Sequence, residues 1–307
     1  MARLRETQPL EGCLRFLPLA TLAALLIACG SSNDGNILAD PLASPSPGAT
    51  KAEPEQGHVE QQPAEWDQPP RLAEEPGDLA EQLANAERAI RDPSVSGRRL
   101  AWMAQLQQAA YRRLVEEPQL RQAVWAALPP DVLGIVEANL TAGIEHRALI
   151  RPTPGLPPWR IVQPIPPEEL LAHYRAAEAE FGVPWYYLAS INLSETFMGR
   201  IRATSVAGAQ GPMQFIPSTW AAYGEGDVNN HSDAIRAAAR YLRANGAPGN
   251  MANALYRYNP SEHYVRSITA YAEVMKSDAE AFRGYYHWEV YYLTTQGDML
   301  LPVGYGE

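Results

Sequence analysis

Glu195-Thr196-Phe197-Met198-Gly199-Arg200-Ile201-Arg202-Ala203-Thr204-Ser205-Val206-Ala207-Gly208-Ala209-Gln210-Gly211-Pro212-Met213-Gln214-Phe215-Ile216-Pro217-Ser218-Thr219-Trp220 is the stretch on which the reading of this 307-residue chain turns. Its first residue closes a predicted helix that opens at Pro184, where a missing N–H is harmless. At the helical period Glu195 projects within about 20° of Leu188, flanked by Ile191 and Trp185. A carboxylate on an apolar helix face is disfavoured as an ion. Its pKa rises, and it can serve as an acid near neutral pH. Periodicity leaves a second use open: a helix-end Glu that caps or pairs with Arg200 or Arg202. The segment after it is glycine-rich. Gly208 and Gly211 permit close backbone approach, and Gln214 with neighbouring aromatics suits a ligand rich in hydroxyl and amide groups. Without a Gly-Lys-Ser/Thr ending it is not a phosphate cradle.

Helices extend outward on both sides. Leu170, Tyr174, Ala177 and Phe181 mark one face of a helix that starts at Pro167 and stops at Gly182. Asp233–Asn245 reads as another, with Asp233 as its cap and Gly246 beyond its end. Ser261–Lys276 carries Tyr264, Ile268, Tyr271 and Met275 on one face. After Arg283 the period falls to two, with Tyr286, Trp288, Val290 and Tyr292 on one side. A turn at Gly297-Asp298 and a return over Met299–Val303 predict a β-hairpin. Aromatics there are either hairpin packing or stacking platforms for sugar rings. Asp227 to Asp233 places oxygens at alternate positions like a Ca²⁺ loop. It lacks the central Gly and the final Glu, so it is read as a lead-in to the next helix.

Upstream, seven prolines in 152–167 specify an extended connector. Four helices are predicted before it. The first has Asp78 as cap and Leu79, Leu83, Ala86 and Ile90 inward. The second, Ser96–Glu116, has Leu100, Met103, Leu106, Ala110 and Leu114 inward. The third covers Pro118–Leu128, and the fourth Asp131–Ala148 buries Val132, Ile135, Val136, Leu140 and Ile144. They form a helical lobe with no catalytic spacing. Ahead of the lobe, 29–77 is rich in Ser, Pro, Gly, Glu and Gln and reads as a disordered tether. Residues 1–28 read as an export signal: Arg3, Arg5 and Arg15 precede an apolar run from Phe16 to Ala28 that is short for a membrane span. Leu26-Ile27-Ala28-Cys29 resembles a bacterial lipobox, which implies a lipid on Cys29, anchorage to a membrane of the envelope and an exported body.

The expected organisation is therefore a signal peptide (1–28), a tether (29–77), a helical lobe (78–151), a Pro-rich connector (152–166), a helical domain (167–277) and a hairpin tail (278–307). Roughly 230 residues remain to fold once signal and tether are set aside. Net charge is -10, with 35 acidic and 25 basic residues, which argues against sequence-independent nucleic-acid binding. The two cysteines, Cys13 and Cys29, both precede the folded part, so no disulfide or thiolate metal site is expected there. Six scattered histidines give no zinc spacing.

Three elements in order carry a resemblance: Ser194-Glu195-Thr196-Phe197, the Ser205…Trp220 segment, and Tyr258-Asn259. Together, across about Pro167–Met275, they resemble the lysozyme-like lytic murein transglycosylases with an SLT-type domain. The resemblance implies a mainly α, lysozyme-like catalytic domain flanked by the N-terminal lobe and the short C-terminal β-hairpin. Glu195 matches the single catalytic acid/base. Ser205 and Gln214 match residues that hydrogen-bond the sugar, and Met213 and Phe215 match cleft walls. Tyr258 and Asn259 match the pair that closes the cleft opposite the Glu, although Arg257 and Pro260 depart from the usual small residue and Gly around it. The implied reaction cleaves the MurNAc-β-1,4-GlcNAc bond of peptidoglycan into a 1,6-anhydro end, with no metal or cofactor. Two alternatives stay open: a hydrolase using a second carboxylate, or a non-catalytic wall-binding lipoprotein.

Overall fold

The computed structural model describes residues 65–307. The signal 1–28, the lipidation candidate Cys29 and the tether up to residue 64 lie outside the described residues. A 3-10 turn over Glu65–Asp67 comes first. The helices of the N-terminal part are α1 (Pro76–Arg91), α2 (Gly97–Glu116), α3 (Pro118–Ala127) and α4 (Leu133–Arg147). Strand β1 (Arg160–Ile161) precedes α5 (Pro167–Phe181) and α6 (Trp185–Thr196), and β2 (Ile201–Arg202) follows. Then come α7 (Pro217–Tyr223), α8 (His231–Ala244), α9 (Met251–Tyr258), α10 (Glu262–Ser277) and α11 (Ala281–His287). Strands β3 (Val290–Thr294) and β4 (Gly297–Leu301) end the order. The fold is mainly α with a C-terminal hairpin.

Helix α6 is apolar around most of its circumference, and Trp185, Leu188, Ala189, Ile191 and Leu193 are all buried. Such a helix must sit inside. It packs against α5, which ends at Gly182 in the left-handed conformation, and against α10. The other side of α10 receives α4. Ala142 lets the two backbones approach, and the buried Ser267 hydroxyl donates to the Ala142 carbonyl at 3.0 Å. One continuous apolar core therefore runs from Leu79 to Trp288. The divisions drawn at 151, 166 and 277 mark no break in it.

A buried polar network fixes the lobe to the C-terminal segment. Glu87, fully buried, accepts from Gln107 Nε2 (3.0 Å), Arg91 Nη1 (2.5 Å) and the Tyr111 hydroxyl. Asn139 receives the Tyr285 hydroxyl at 2.6 Å, and the Trp288 indole donates to Gln107 Oε1 at 2.9 Å. A half-satisfied network of this kind would be costly, and here each member meets a partner.

Several expected details differ. The part of the tether from Glu65 onward packs on the lobe: Trp102 donates to Gln68 O at 2.8 Å, and Arg113 to Ala73 O at 3.0 Å. The first helix begins at Pro76 with Glu75 in the cap position, because Pro is preorganised for the first turn; Asp78 lies inside that turn. Ile144 is exposed, since α4 turns Val136, Asn139, Leu140 and Ala142 inward instead. The Pro-rich connector hides β1, which pairs antiparallel with β2. Asn230, not Asp233, caps α8, its side chain accepting from Asp233 N at 3.2 Å. Asp233 instead accepts from Asp227 N at 3.0 Å, which closes the loop read as a defective Ca²⁺ site. In the tail, residues 281–287 are helical. Phe282, Tyr285 and Tyr286 bury one face at helical spacing, and the hairpin pairs Val290 with Leu301 rather than starting at Tyr286.

Candidate active site

Glu195 occupies the last turn of α6, and that end is fastened from several sides. Asn192 Nδ2 donates to Pro212 O (2.8 Å) and Thr196 Oγ1 (3.0 Å), and the Thr196 hydroxyl donates to Pro212 O at 2.6 Å. The Tyr174 hydroxyl holds Asn192 Oδ1 at 2.6 Å. Immediately after, Phe197 (φ 50°) and Met198 (φ 60°) are both left-handed, so the chain leaves the helix abruptly. Side-chain residues in that region carry strain of order 1–3 kcal/mol, and such strain clusters at functional sites.

The Glu195 carboxylate is half-buried and faces a cavity of ≈ 370 Å³. Desolvation raises its pKa from 4.5 to about 7, against the opposing effect of a hydrogen bond from Tyr264. That bond, Tyr264 hydroxyl to Glu195 Oε1, is 2.8 Å. Burial, with the Glu195 carboxylate adding to it, holds the Tyr264 phenol well above its ordinary range, so it remains a donor. Arg200 is committed to the Tyr286 carbonyl at 2.8 Å, and Arg202 faces His231. Neither pairs with Glu195, which removes the ion-pair use left open by the sequence. At the half-protonated point near neutrality Glu195 can give a proton and take one back.

Asn259 lines the same cavity as Glu195. Tyr258 stands one layer behind. Its ring stacks on Tyr264 at 6.4 Å with a 4° interplanar angle, and its hydroxyl donates to Met213 O at 2.6 Å. It thus steadies the residue that holds Glu195. The remaining expected contacts fall outside the cavity. Met213 is fully buried and Phe215 nearly so, because both side chains join the apolar core; Phe215 packs edge-on against Trp220 and Tyr258. They support the cleft from within and do not surface it. The Ser205 hydroxyl accepts from Ala209 N at 2.9 Å, and Gln214 Nε2 donates to Gly211 O at 3.0 Å. Both side chains are engaged in shaping their own loop. Gly211 allows that loop its path: a Cβ there would lie 1.9 Å from Val228 O.

Most of the cavity wall comes from segments that showed no catalytic spacing. Helices α2 and α4 supply Arg112, His146 and Arg147, the connector supplies Trp159, and β3 supplies Tyr291 and Tyr292. His146 Nδ1 stands 3.3 Å from Ser194 Oγ, and burial with Arg112 nearby pushes its pKa to about 4, leaving it neutral. Trp159 and Tyr292 meet edge-to-face at 5.1 Å, and the Arg112 guanidinium lies 4.3 Å over Tyr291. The tail aromatics therefore divide: Tyr285 and Tyr286 are core, Trp288 is buried yet borders the cavity, and Tyr291 and Tyr292 line it from β3.

The family model described as a transglycosylase SLT domain matches residues 173–280. That segment is an SLT transglycosylase domain. No curated protein and no solved structure matched the chain. The SLT domain assigns lytic transglycosylase activity on peptidoglycan in general terms. It contains Glu195, Tyr264 and Asn259. The lobe and hairpin that complete the cavity lie outside it.

Tyr264 was missed as a functional residue because its position on the inward face of α10 reads as core. Its apolar ring does belong there, and only the tertiary packing of α10 on α6 reveals what its hydroxyl touches. Among the described residues no group of His, Cys, Asp and Glu is placed to hold a metal ion.

Proposed function

We propose that the chain cleaves the MurNAc-β-1,4-GlcNAc bond of peptidoglycan with Glu195 as its one acid/base, leaving a 1,6-anhydroMurNAc end. The observation that carries this reading is a half-buried carboxylate, raised to about 7, held by Tyr264 at 2.8 Å in a cavity walled by aromatics and hydrogen-bonding groups. Glu195 protonates the leaving glycosidic oxygen as the C1–O bond breaks. The muramyl N-acetyl group stabilises the charge that develops at C1. The ionised Glu195 then accepts the proton of the sugar's C6 hydroxyl as that oxygen bonds to C1. The proton given in the first step is recovered in the second, and no water is consumed.

The count of one carboxylate is supported by the other acids of the cavity. Glu116 lies 3.7 Å from Arg147 Nε and Asp298 is ion-paired with Arg112, so each has a cationic neighbour. Glu225 pairs with Arg240, Asp227 and Asp233 close a surface loop, and Glu262 sits in the first turn of α10. None of these four lines the cavity. The lobe and hairpin act in this reading as part of the substrate cleft. We propose in addition that residues 1–28 direct export and that Cys29 carries a lipid anchoring the body to the envelope, on the strength of the lipobox-like sequence.

The test is Glu195→Gln in the full chain. Turnover of purified peptidoglycan should fall by ~10²–10⁴-fold while the protein stays folded. Turnover close to wild type would remove Glu195 from the mechanism.

A further inference from the structure

A second concavity, ≈ 410 Å³, opens on the outer face of the β1–β2 ribbon. Ile201 belongs to the walls of both cavities, so the second adjoins the one that holds Glu195. Its floor carries an unusual pair. Arg160 and Arg202 are direct cross-strand partners in the antiparallel register, so their side chains leave the same face of the ribbon. Like charges directly opposite each other are destabilising. No carboxylate lines the concavity, and no ion pair among the described residues involves either guanidinium. Arg202 instead faces two neutral acceptors, Asn229 O at 3.5 Å and His231 Nε2 at 3.2 Å. Burial lowers the Arg202 pKa and the charge of Arg160 lowers it further. His231 is itself neutral, its pKa pushed to about 4 by burial, so no compensating anion arises there.

The rest of the wall is polar and small: Thr204, Gln210 and Asn229 offer hydroxyl and amide groups around the two guanidiniums. Two guanidiniums on one face of the ribbon, both lining one concavity, offer the planar donor geometry that suits the two oxygens of a carboxylate. Arg160 is exposed and Arg202 half-buried, so an anion arriving from solution can reach both guanidiniums.

We propose that Arg160 and Arg202 form a subsite for a carboxylate of the peptide stem carried by the glycan strand, adjoining the catalytic cavity. This rests on the peptidoglycan reading above and specifies which part of the substrate the ribbon takes. Arg160 comes from the connector, outside the SLT domain. The connector is then a piece of the binding surface as well as a link.

The experiment compares soluble stem-bearing glycan fragments with the same fragments stripped of their peptides, using the full chain and its Arg160→Gln and Arg160→Lys forms. The wild type should favour the stem-bearing fragments, through KM. In Arg160→Gln that preference should fall about tenfold, and Arg160→Lys should recover part of it. Proportional losses on both substrates, or an unchanged preference, would overturn the proposal. Calorimetric binding of the disaccharide tetrapeptide and of the bare disaccharide to Glu195→Gln protein separates this inference from the catalytic one. A stem preference in binding that vanishes with Arg160→Gln supports the subsite even where turnover contradicts the reaction. Equal binding of the two ligands contradicts the subsite while leaving the reaction intact. Inorganic phosphate that binds at Arg160 in preference to the tetrapeptide carboxylates would show that the anion is a phosphate and overturn the assignment.

Discussion

Replacing Glu195 by Gln removes an ionisable group from the cavity while keeping its size, and the consequence for stability is as informative as the loss of turnover. The folded carboxyl titrates at about 7, while its ordinary value is 4.5. Between those values the folded protein holds a proton that the unfolded chain has released, so stability falls as pH rises from about 4.5 to about 7 and is level beyond. Each pK unit corresponds to about 1.4 kcal/mol, which gives an upper figure of about 3 kcal/mol. The side chain is half-buried and solvent reaches the cavity, so ~1–3 kcal/mol is expected after screening. Gln is neutral in both states and escapes this loss. Chemical denaturation of both proteins at pH 4, 6 and 8 should show near-equal stabilities at pH 4 and a more stable variant at pH 8. A gap that does not grow with pH, or a variant less stable at pH 8, would refute the claim that Glu195 resides in a desolvating site.

Tyr264→Phe keeps the ring stacked on Tyr258 and removes the donor to Glu195. The ionised form loses a hydrogen bond, so the alkaline limb of the kcat/KM profile should move up by ~1–2 pH units; an unmoved limb would show that the hydroxyl does not act on Glu195. Cys29→Ser should transfer the protein from the membrane fraction to the soluble one with turnover of the purified enzyme unchanged, and retention in membranes would point to another anchor. Treatment with EDTA should leave turnover intact, since Asp227 and Asp233 are engaged with backbone amides of their own loop; a Ca²⁺-reversible loss would reassign that loop.

The legible part of this chain is the part governed by local rules. Leu188, Ile191 and Glu195 share a face at helical period, and that is enough to mark the carboxylate as out of place. Gly182 stops α5 where a left-handed residue is needed. What stayed hidden depends on distant partners. Helices α4 and α10 are far apart in sequence, and nothing in either announces that Ala142 meets Ser267 or that His146 faces Ser194. Arg160 sits among prolines that argue for an unpaired connector, yet it pairs with Arg202, 42 residues further along the chain. In the tail, Tyr286 fits a period of two with Trp288 and equally a helical period with Phe282, and burial of Phe282 and Tyr285 on the same side decides for the helix. Met213 and Phe215 were placed on the wall by resemblance, whereas the core claims their side chains.

Mass analysis of the fragments released from purified peptidoglycan distinguishes intramolecular attack from hydrolysis. Attack by the sugar's own C6 hydroxyl consumes no water, whereas a hydrolase adds one and needs a second carboxylate across the cleft. Fragments should end in 1,6-anhydroMurNAc, lighter by one water than their hydrolytic counterparts, and should be absent with Glu195→Gln. Release of the heavier, reducing-end species alone would contradict intramolecular attack.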